Sequence, residues 1–294
     1  MKFRAHDTFF IRKGWLAKGI KHIQKNPTVF LGRGGVNPMD TLGIGANMVK
    51  SLRYWLQAVG ITEEKNRREQ VFTPLGEIIR KHDPYFEELG TLWLLHYRLA
   101  SNRDNATVWY YFFNEFRPSM FSHDDFIAQI GGWLRMAADC EDVPPARSLD
   151  DDFSCVISTY LSRVKVRQEK PDPESNMDCP FGELGLLDIA DRKTKTYKKT
   201  VPGKGMLPSL ILLAVLIDQA QGAKEIKLSM IQSNPCNAGK IFNLDMVALI
   251  GHLHQLEQMK LIKVDRTAGM DVIRFTKSLT FLESVECYYK EISE

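Results

Sequence analysis

The order of elements over residues 42–83 constrains the fold more than any other part of the chain. The stretch "LGIGANMVKSLRYWLQAVG", residues 42–60, sets Val49, Leu52, Leu56 and Val59 at helical spacing, the pattern of a helix with one face on a core. Gly60 then supplies the residue type that most readily ends a helix. In "ITEEKNRREQVFTPLGEIIRK" two short extended runs, 61–63 and 70–73, flank a charged turn. Pro74 follows, at a position where proline opens a helix. Helix, strand, charged hairpin, strand and helix are the order of a winged helix-turn-helix. The same order recurs near the C-terminus. "DMVALIGHLHQLEQM" places Met246, Leu249, Ile250, Leu253 and Leu256 on one helical face, and "LIKVDRTAGMDVIRF" follows as two alternating strands around a Thr-Ala-Gly turn. The two units match in plan and not in sequence.

The predicted fold class is mainly α, with winged helix-turn-helix units and their short β-hairpin wings flanking a helical middle. The N-terminal winged-helix DNA-binding domain covers 1–83 and the helical middle 84–165. A charged connecting segment covers 166–206 and the C-terminal winged-helix-like domain 207–294. The middle is strongly apolar and aromatic in "YFEELGTLWLLHYRLA" and "TVWYYFFNEF". "SHDDFIAQIGGWLRMA" and "SLDDDFSCVISTYLSRV" each open with Ser followed three residues later by Asp, a short-armed capping box. Residues 166–206 change character: "KPDPESNMDC" and "DRKTKTYKKTVPGKG" are charged and poor in large apolar groups, which predicts a boundary.

Composition narrows the class only broadly. Net charge is +3 in 294 residues, so any case for nucleic acid must rest on where the cations sit. Five scattered cysteines without a CxxC pair argue against a disulfide framework or zinc ribbon and for a reducing cytoplasm. "MKFRAHDTFF" has no apolar run of signal-peptide length. The longest apolar run, 210–217, is too short to span a bilayer, so a cytoplasmic protein without a membrane partner is expected.

The opening helix carries Asn47, Lys50, Ser51, Tyr54 and Gln57 between its apolar positions, and no acid. A helix in the DNA major groove needs such donors and acceptors, and carboxylates there would repel phosphate. Asn and Gln suit adenine edges, Lys suits guanine, and Ser either. Arg53 flanks this face, and Lys65, Arg67 and Arg68 sit in the wing, where phosphate contact is natural. Winged helices also serve as scaffold modules with ordinary polar faces. The second unit, with His252, His254, Gln255 and Gln258 and few cations, suits that role better.

Templates for chemistry are mostly absent: the chain has no P-loop, HExxH or GxSxG. Asp218, Glu225 and Lys227 give a D…ExK spacing of the metal-dependent nuclease kind, a pattern common by chance. Polar residues embedded in apolar runs are more informative: His96 and Arg98, Asn114 and Glu115, His6 and Asp7, and Asp178 and Glu183 around "CPFG". Burying such groups is costly unless they are paired or hold a metal. One outcome is a structural network, for instance Arg98 with Glu115. The other is a Mg2+ site drawing on Asp7, Glu115, Asp178 and Glu183, with His6 or His96 as the proton-transfer group. Catalytic candidates are then His6, Asp7, Glu115 and His96. No spacing rule selects among them. Cys179, without a basic neighbour in sequence, reads as an ordinary semi-buried cysteine.

Five stretches in order, "HDTFFIRKGWLAKG", "LGIGANMVKSLRYWLQAVGI", "FTPLGEIIRKHDPYFEELGTLWLLHYRLASN", "TVWYYFFNEF" and "MDCPFGELGLL", resemble the SspB-like family, formerly a domain of unknown function, of bacterial DNA phosphorothioation defence systems. The resemblance covers about residues 3–280. Where the family carries Glu after its first His, this chain has Asp7, a shorter carboxylate. What the resemblance implies is a Mg2+-dependent DNA nickase acting on double-stranded DNA. Its implied partners are a cysteine desulfurase, an ATPase and an ATP pyrophosphatase-like enzyme that insert sulfur into the backbone.

Overall fold

The structure, a computed structural model, describes residues 1–32, 37–136, 144–161, 178–267 and 270–293. The chain is mainly helical with small antiparallel sheets. In order, the first elements are α1 (Trp15–Lys25), α2 (Pro38–Leu42), α3 (Ala46–Ala58), the hairpin β1 (Thr62–Lys65) and β2 (Glu69–Phe72), and α4 (Pro74–His82). The middle holds α5 (Leu89–Ala100), α6 (Thr107–Asn114), β3 (Met120–Phe121), α7 (His123–Met136) and α8 (Ala146–Tyr160). The remainder is β4 (Leu187–Asp191), β5 (Thr196–Lys199), α9 (Ser209–Ala220), β6 (Glu225–Lys227), α10 (Leu228–Ser233), α11 (Ala238–Ile241), α12 (Met246–Gln258), β7 (Ile262–Thr267), β8 (Met270–Phe275) and α13 (Phe281–Ser293).

The helix–hairpin–helix order around α3 forms as its sequence directs. Gly60 takes φ +74°, and its N–H and that of Ile61 return to Gln57 and Leu56 carbonyls at 3.1 and 3.0 Å, which closes the last turn of α3. Asn66 and Arg67 both adopt positive φ at the hairpin turn. Thr73 caps α4 by accepting the Gly76 N–H at 2.9 Å, and its hydroxyl donates to Gly60 at 2.6 Å. The C-terminal unit differs from the first: its sheet has three strands in the order β6-β8-β7, because β6 pairs with the last strand of the hairpin. Asp245 caps α12 from Ala248 N–H at 2.8 Å. Leu249, Leu253 and Leu256 are buried, but Met246, expected on the same inner face, is 42% exposed. It stands in the first turn, beyond the reach of the sheet. The Ala-Gly of the expected Thr-Ala-Gly turn lies outside the described residues.

The expected connecting segment is the largest departure. Its residues 166–177 lie outside the described residues, but 178–206 belong to the body. Phe181, Leu184, Leu186 and Leu187 are buried, and β5 pairs with β4 on one side and β3 on the other. Charge misled here because β4 and β5 form a ribbon with outward lysines and aspartates. Lys199 points inward instead. Its ammonium donates to the Phe112 and Phe116 carbonyls, both at 2.6 Å, at the C-terminal end of α6, where a cation meets the negative end of the helix dipole. Of the two expected capping boxes, the first is formed: Ser122 and Asp125 bond reciprocally at 2.8 and 3.3 Å. The second is not, since α8 begins at Ala146 and Ser148 lies inside it.

One cluster of buried apolar side chains runs from Ile11 to Tyr289 across all the expected boundaries. Close backbone approaches hold it. At Gly76 an added Cβ would stand 2.0 Å from the Ile61 carbonyl oxygen, so α4 lies directly on the start of the hairpin. Gly76→Ala must therefore push α4 away, with an expected loss of about 1–3 kcal/mol from overpacking, read as a lower urea midpoint at unchanged slope. An unchanged midpoint would refute this close packing.

Candidate functional site

The face of α3 expected to meet DNA is only partly open. Asn47 and Lys50 are exposed. Ser51 is fully buried, and its hydroxyl donates to the Phe9 carbonyl at 3.4 Å, beside the stronger bond from Trp55 Nε1 at 2.8 Å. Ser51 is thus a correction: the N-terminal segment lies across that flank of the helix. Gln57 donates to Gln70 Oε1 at 3.0 Å, and Arg53 pairs with Glu64 at 2.7 Å. Tyr54 packs against Trp55 and lies near His6, and burial pushes its hydroxyl well above the ordinary range. Lys2, Lys50, Arg53, Tyr54, Gln57 and Glu64 border an open depression of about 350 Å³. Lys65, Arg67 and Arg68 are exposed at the hairpin turn, interleaved with exposed Glu63, Glu64 and Glu69.

The two predicted histidines occupy different settings. His96 is fully buried among Phe113, Tyr160 and Phe242. Its Nε2 donates to the Ile241 carbonyl at 2.8 Å, so Nδ1 accepts from the Tyr160 hydroxyl at 2.8 Å. Burial lowers it to about 4. Both nitrogens are engaged in the core, which is a structural role. His6 is also fully buried, with Nε2 2.6 Å from Asp152 Oδ1, and its ring lies against Trp55 and Trp109. Asp152 further accepts the Arg4 N–H at 2.9 and 3.1 Å. Burial raises the Asp152 carboxyl from its ordinary value, against the pull of these donors. Among the described residues His6 Nδ1 has no partner.

Asp152 is the residue the sequence left unassigned. Its signal was its place on the apolar stripe Leu149–Asp152–Val156 of α8. The run Asp150, Asp151, Asp152 fans round the helix at 100° steps, and each acid finds its own cation-forming partner: His123 at 3.0 Å, Arg4 at 2.7 Å and His6.

The four predicted metal carboxylates stand on different parts of the chain, each with its own surroundings. Asp7 is half-buried at positive φ beside His6. Asp178 lends its backbone carbonyl to Lys13 N–H at 3.2 Å. Glu183 is exposed, and Glu115 is half-buried beside Tyr110 and Tyr111, whose hydroxyls it helps raise. Among the described residues no three His, Cys, Asp or Glu side chains form a set able to hold a metal. Arg98 does not pair with Glu115. It lies 3.7 Å from Asp218, over the Phe281 ring. Asp218 also accepts from Tyr97, while Glu225 pairs with Arg274, so the D…ExK spacing gathers no site. The Cys179 thiol is buried and pushed up to about 12, as an inert core cysteine should be.

Comparison with known proteins follows the same length of chain. Residues 3–289 match the model of the family described as Protein of unknown function (DUF4007). The chain belongs to this family. It is similar throughout to two SspB crystal structures, at 25% identity in each case. A magnesium ion-bound SspB structure has a TM-score of 0.84, covering 100% of this chain and 89% of that one. A second SspB structure has a TM-score of 0.82, covering 99% and 87%. No curated protein matches. The SspB-like resemblance expected from sequence is therefore shown.

Two outcomes follow from the buried histidines. An unfolded chain protonates His96 near 6.5, whereas the folded chain resists until about 4. Between these values the unfolded state binds the extra proton, so stability falls as pH drops, by up to about 1.4 kcal/mol per unit. Urea unfolding at stepped pH reads the loss, and His96 ring resonances should remain those of a neutral imidazole at pH 5. For the other pair, Asp152→Ala leaves a buried imidazole without its partner and should cost about 3–5 kcal/mol. A loss under about 1 kcal/mol in urea would show that the pair does not hold the N-terminal segment.

Proposed function

We propose that this chain is the DNA-binding and Mg2+-dependent DNA-nicking component of a DNA phosphorothioation anti-phage system. The single observation behind it is the full-length likeness to a magnesium ion-bound SspB structure. In this proposal α3 and its hairpin act as a winged helix-turn-helix. Asn47 and Lys50 face the groove, Arg53, Tyr54 and Gln57 stand behind them, and Lys65, Arg67 and Arg68 meet phosphates. The strand order β6-β8-β7 supports a second winged unit. Its α12 carries no lysine or arginine, which suits packing rather than phosphate contact. A cysteine desulfurase, an ATPase and an ATP pyrophosphatase-like enzyme would then place sulfur at the nick.

Mg2+ takes one or two carboxylates and keeps several waters, and when bound it supplies an activated water and charge stabilisation. Among the described residues no three of the predicted acids form a set that would hold it. His6, oriented by Asp152 and with Nδ1 unengaged among the described residues, is the proton-transfer candidate. A second reading is a non-catalytic winged-helix adaptor that brings the sulfur-transfer enzymes to DNA, favoured by the engagement of His96, one of the two predicted proton-transfer groups, at both ring nitrogens in the core.

Incubating pure protein with supercoiled plasmid separates the two. Nicked circles that form with Mg2+ and not with EDTA support the nickase. Intact but retarded plasmid supports the adaptor, and neither nicking nor retardation in either buffer overturns both. Lys50→Ala and Arg67→Ala should each weaken duplex binding and reduce the slope of log affinity against log salt by about 0.9. Unchanged slopes in a mobility-shift series would take α3 and its hairpin out of the interface.

A further inference from the structure

The net charge of +3 hides an uneven distribution. Between Thr8 and Thr62 the sequence has eight Lys or Arg and a single acid, Asp40. The helix α1 stands at the centre of this stretch. Its inner side, Trp15, Leu16, Ile20 and Ile23, is buried in the core. On the other side Lys21, Gln24 and Lys25 are exposed, with Lys13 exposed just before the helix. Among the described residues Lys13, Lys21 and Lys25 have no acid within ion-pair distance, and the surrounding stretch offers only Asp40 as a carboxylate.

We propose that this face of α1 is a second DNA contact, a cationic track that receives the phosphodiester backbone alongside the duplex held by α3 and the hairpin. The proposal rests on the DNA-binding assignment and extends its footprint. Three observations carry it. The first is the unpaired row itself. Cations near a helix C-terminus are favoured by the dipole, which accounts for Lys25 and His22 but not for Lys13 or Lys21. The second is continuity: Pro27, two residues beyond α1, accepts the Gln70 N–H of β2 at 2.9 Å. The C-terminal end of α1 is thereby fixed beside the hairpin whose turn bears Lys65, Arg67 and Arg68. The third is the groove between α1 and α4, an open space of about 660 Å³ bordered by Lys18, Lys21, His22, Gln24, Arg80 and Tyr85. Tyr85 is 72% exposed there. Its ring and hydroxyl suit a sugar–phosphate edge, where hydroxyls and amides commonly bond phosphate oxygens. His22 reports the field of this face, since burial and then Lys25, Lys21 and Lys18 hold it below its ordinary value.

A polyanion of regular spacing fits such a row better than a folded protein surface, because the exposed side chains of this face are cations and an amide with Tyr85 as the one exposed large ring beside them. The test uses the full chain and a double variant, Lys21→Gln/Lys25→Gln, both exposed positions whose neutralisation leaves the core untouched. Fluorescence anisotropy on a labelled duplex is read from 50 to 300 mM salt, with a labelled polyglutamate as a second probe. The slope of log affinity against log salt should shrink by about 2, since each phosphate contact contributes about 0.9. Lys50→Ala should shrink it independently. If the double variant keeps the wild-type slope and affinity while Lys50→Ala loses both, α1 is not a DNA contact and the proposal is overturned. If the variant loses only polyglutamate, the face serves an acidic protein, which also overturns it. A wild-type chain that shows no salt-dependent duplex binding instead removes the DNA-binding assignment itself.

Discussion

The bond between His6 and Asp152 joins residues 146 positions apart, and much of the molecule is arranged around it. It fixes the N-terminal segment to α8 in the helical middle. That segment lies in turn across α3, where Phe9 takes hydrogen bonds from Ser51 and Trp55. Trp55 and Trp109, from α3 and α6, close over the imidazole. A buried polar pair of this kind is not in itself a source of stability, because desolvation of its groups offsets most of their attraction. Its effect is positional: it holds the N-terminal segment against α8.

A second polar anchor stands deeper. His96 on α5 joins Tyr160 of α8 to the end of α11 through its two ring nitrogens. Lys199 joins β5 to the end of α6. These groups tie the helical middle to β5 and to the C-terminal elements, and buried polar groups of this kind need hydrogen-bond partners to be tolerated. They explain why polar residues embedded in apolar runs need not mark chemistry. His96 and Arg98 are such residues, and both serve the packing of α5.

Charge is distributed unevenly along the chain. The N-terminal stretch to Thr62 holds most of the unbalanced cations, while α12, in the same position of the second unit, has none. Two units of similar plan therefore present opposite faces, one suited to phosphate and one to uncharged contact. That division is the physical ground of the proposal that places DNA on the N-terminal half.

Local rules were legible in the sequence wherever a short-range interaction decided the outcome. The turn at Gly60, the helix start at Pro74, the hairpin between them, the capping box at Ser122 and the core leucines of α12 follow from backbone preference and from 3.6-residue spacing. The resemblance to the SspB-like family was legible too, since it lies in contiguous motifs. What only tertiary structure decided was partnership across long separations. Nothing local in Asp150–Asp151–Asp152 says which acid will face His6, His123 or Arg4. Nor does the polar face of α3 reveal that residues 6–9 will cover Ser51. The segment 178–206 was misjudged for the same reason: charged strands look like a linker until β3, far away in sequence, supplies the neighbour that orders them. Period and propensity act within a turn or two of chain, whereas burial and ion pairing depend on which surfaces meet.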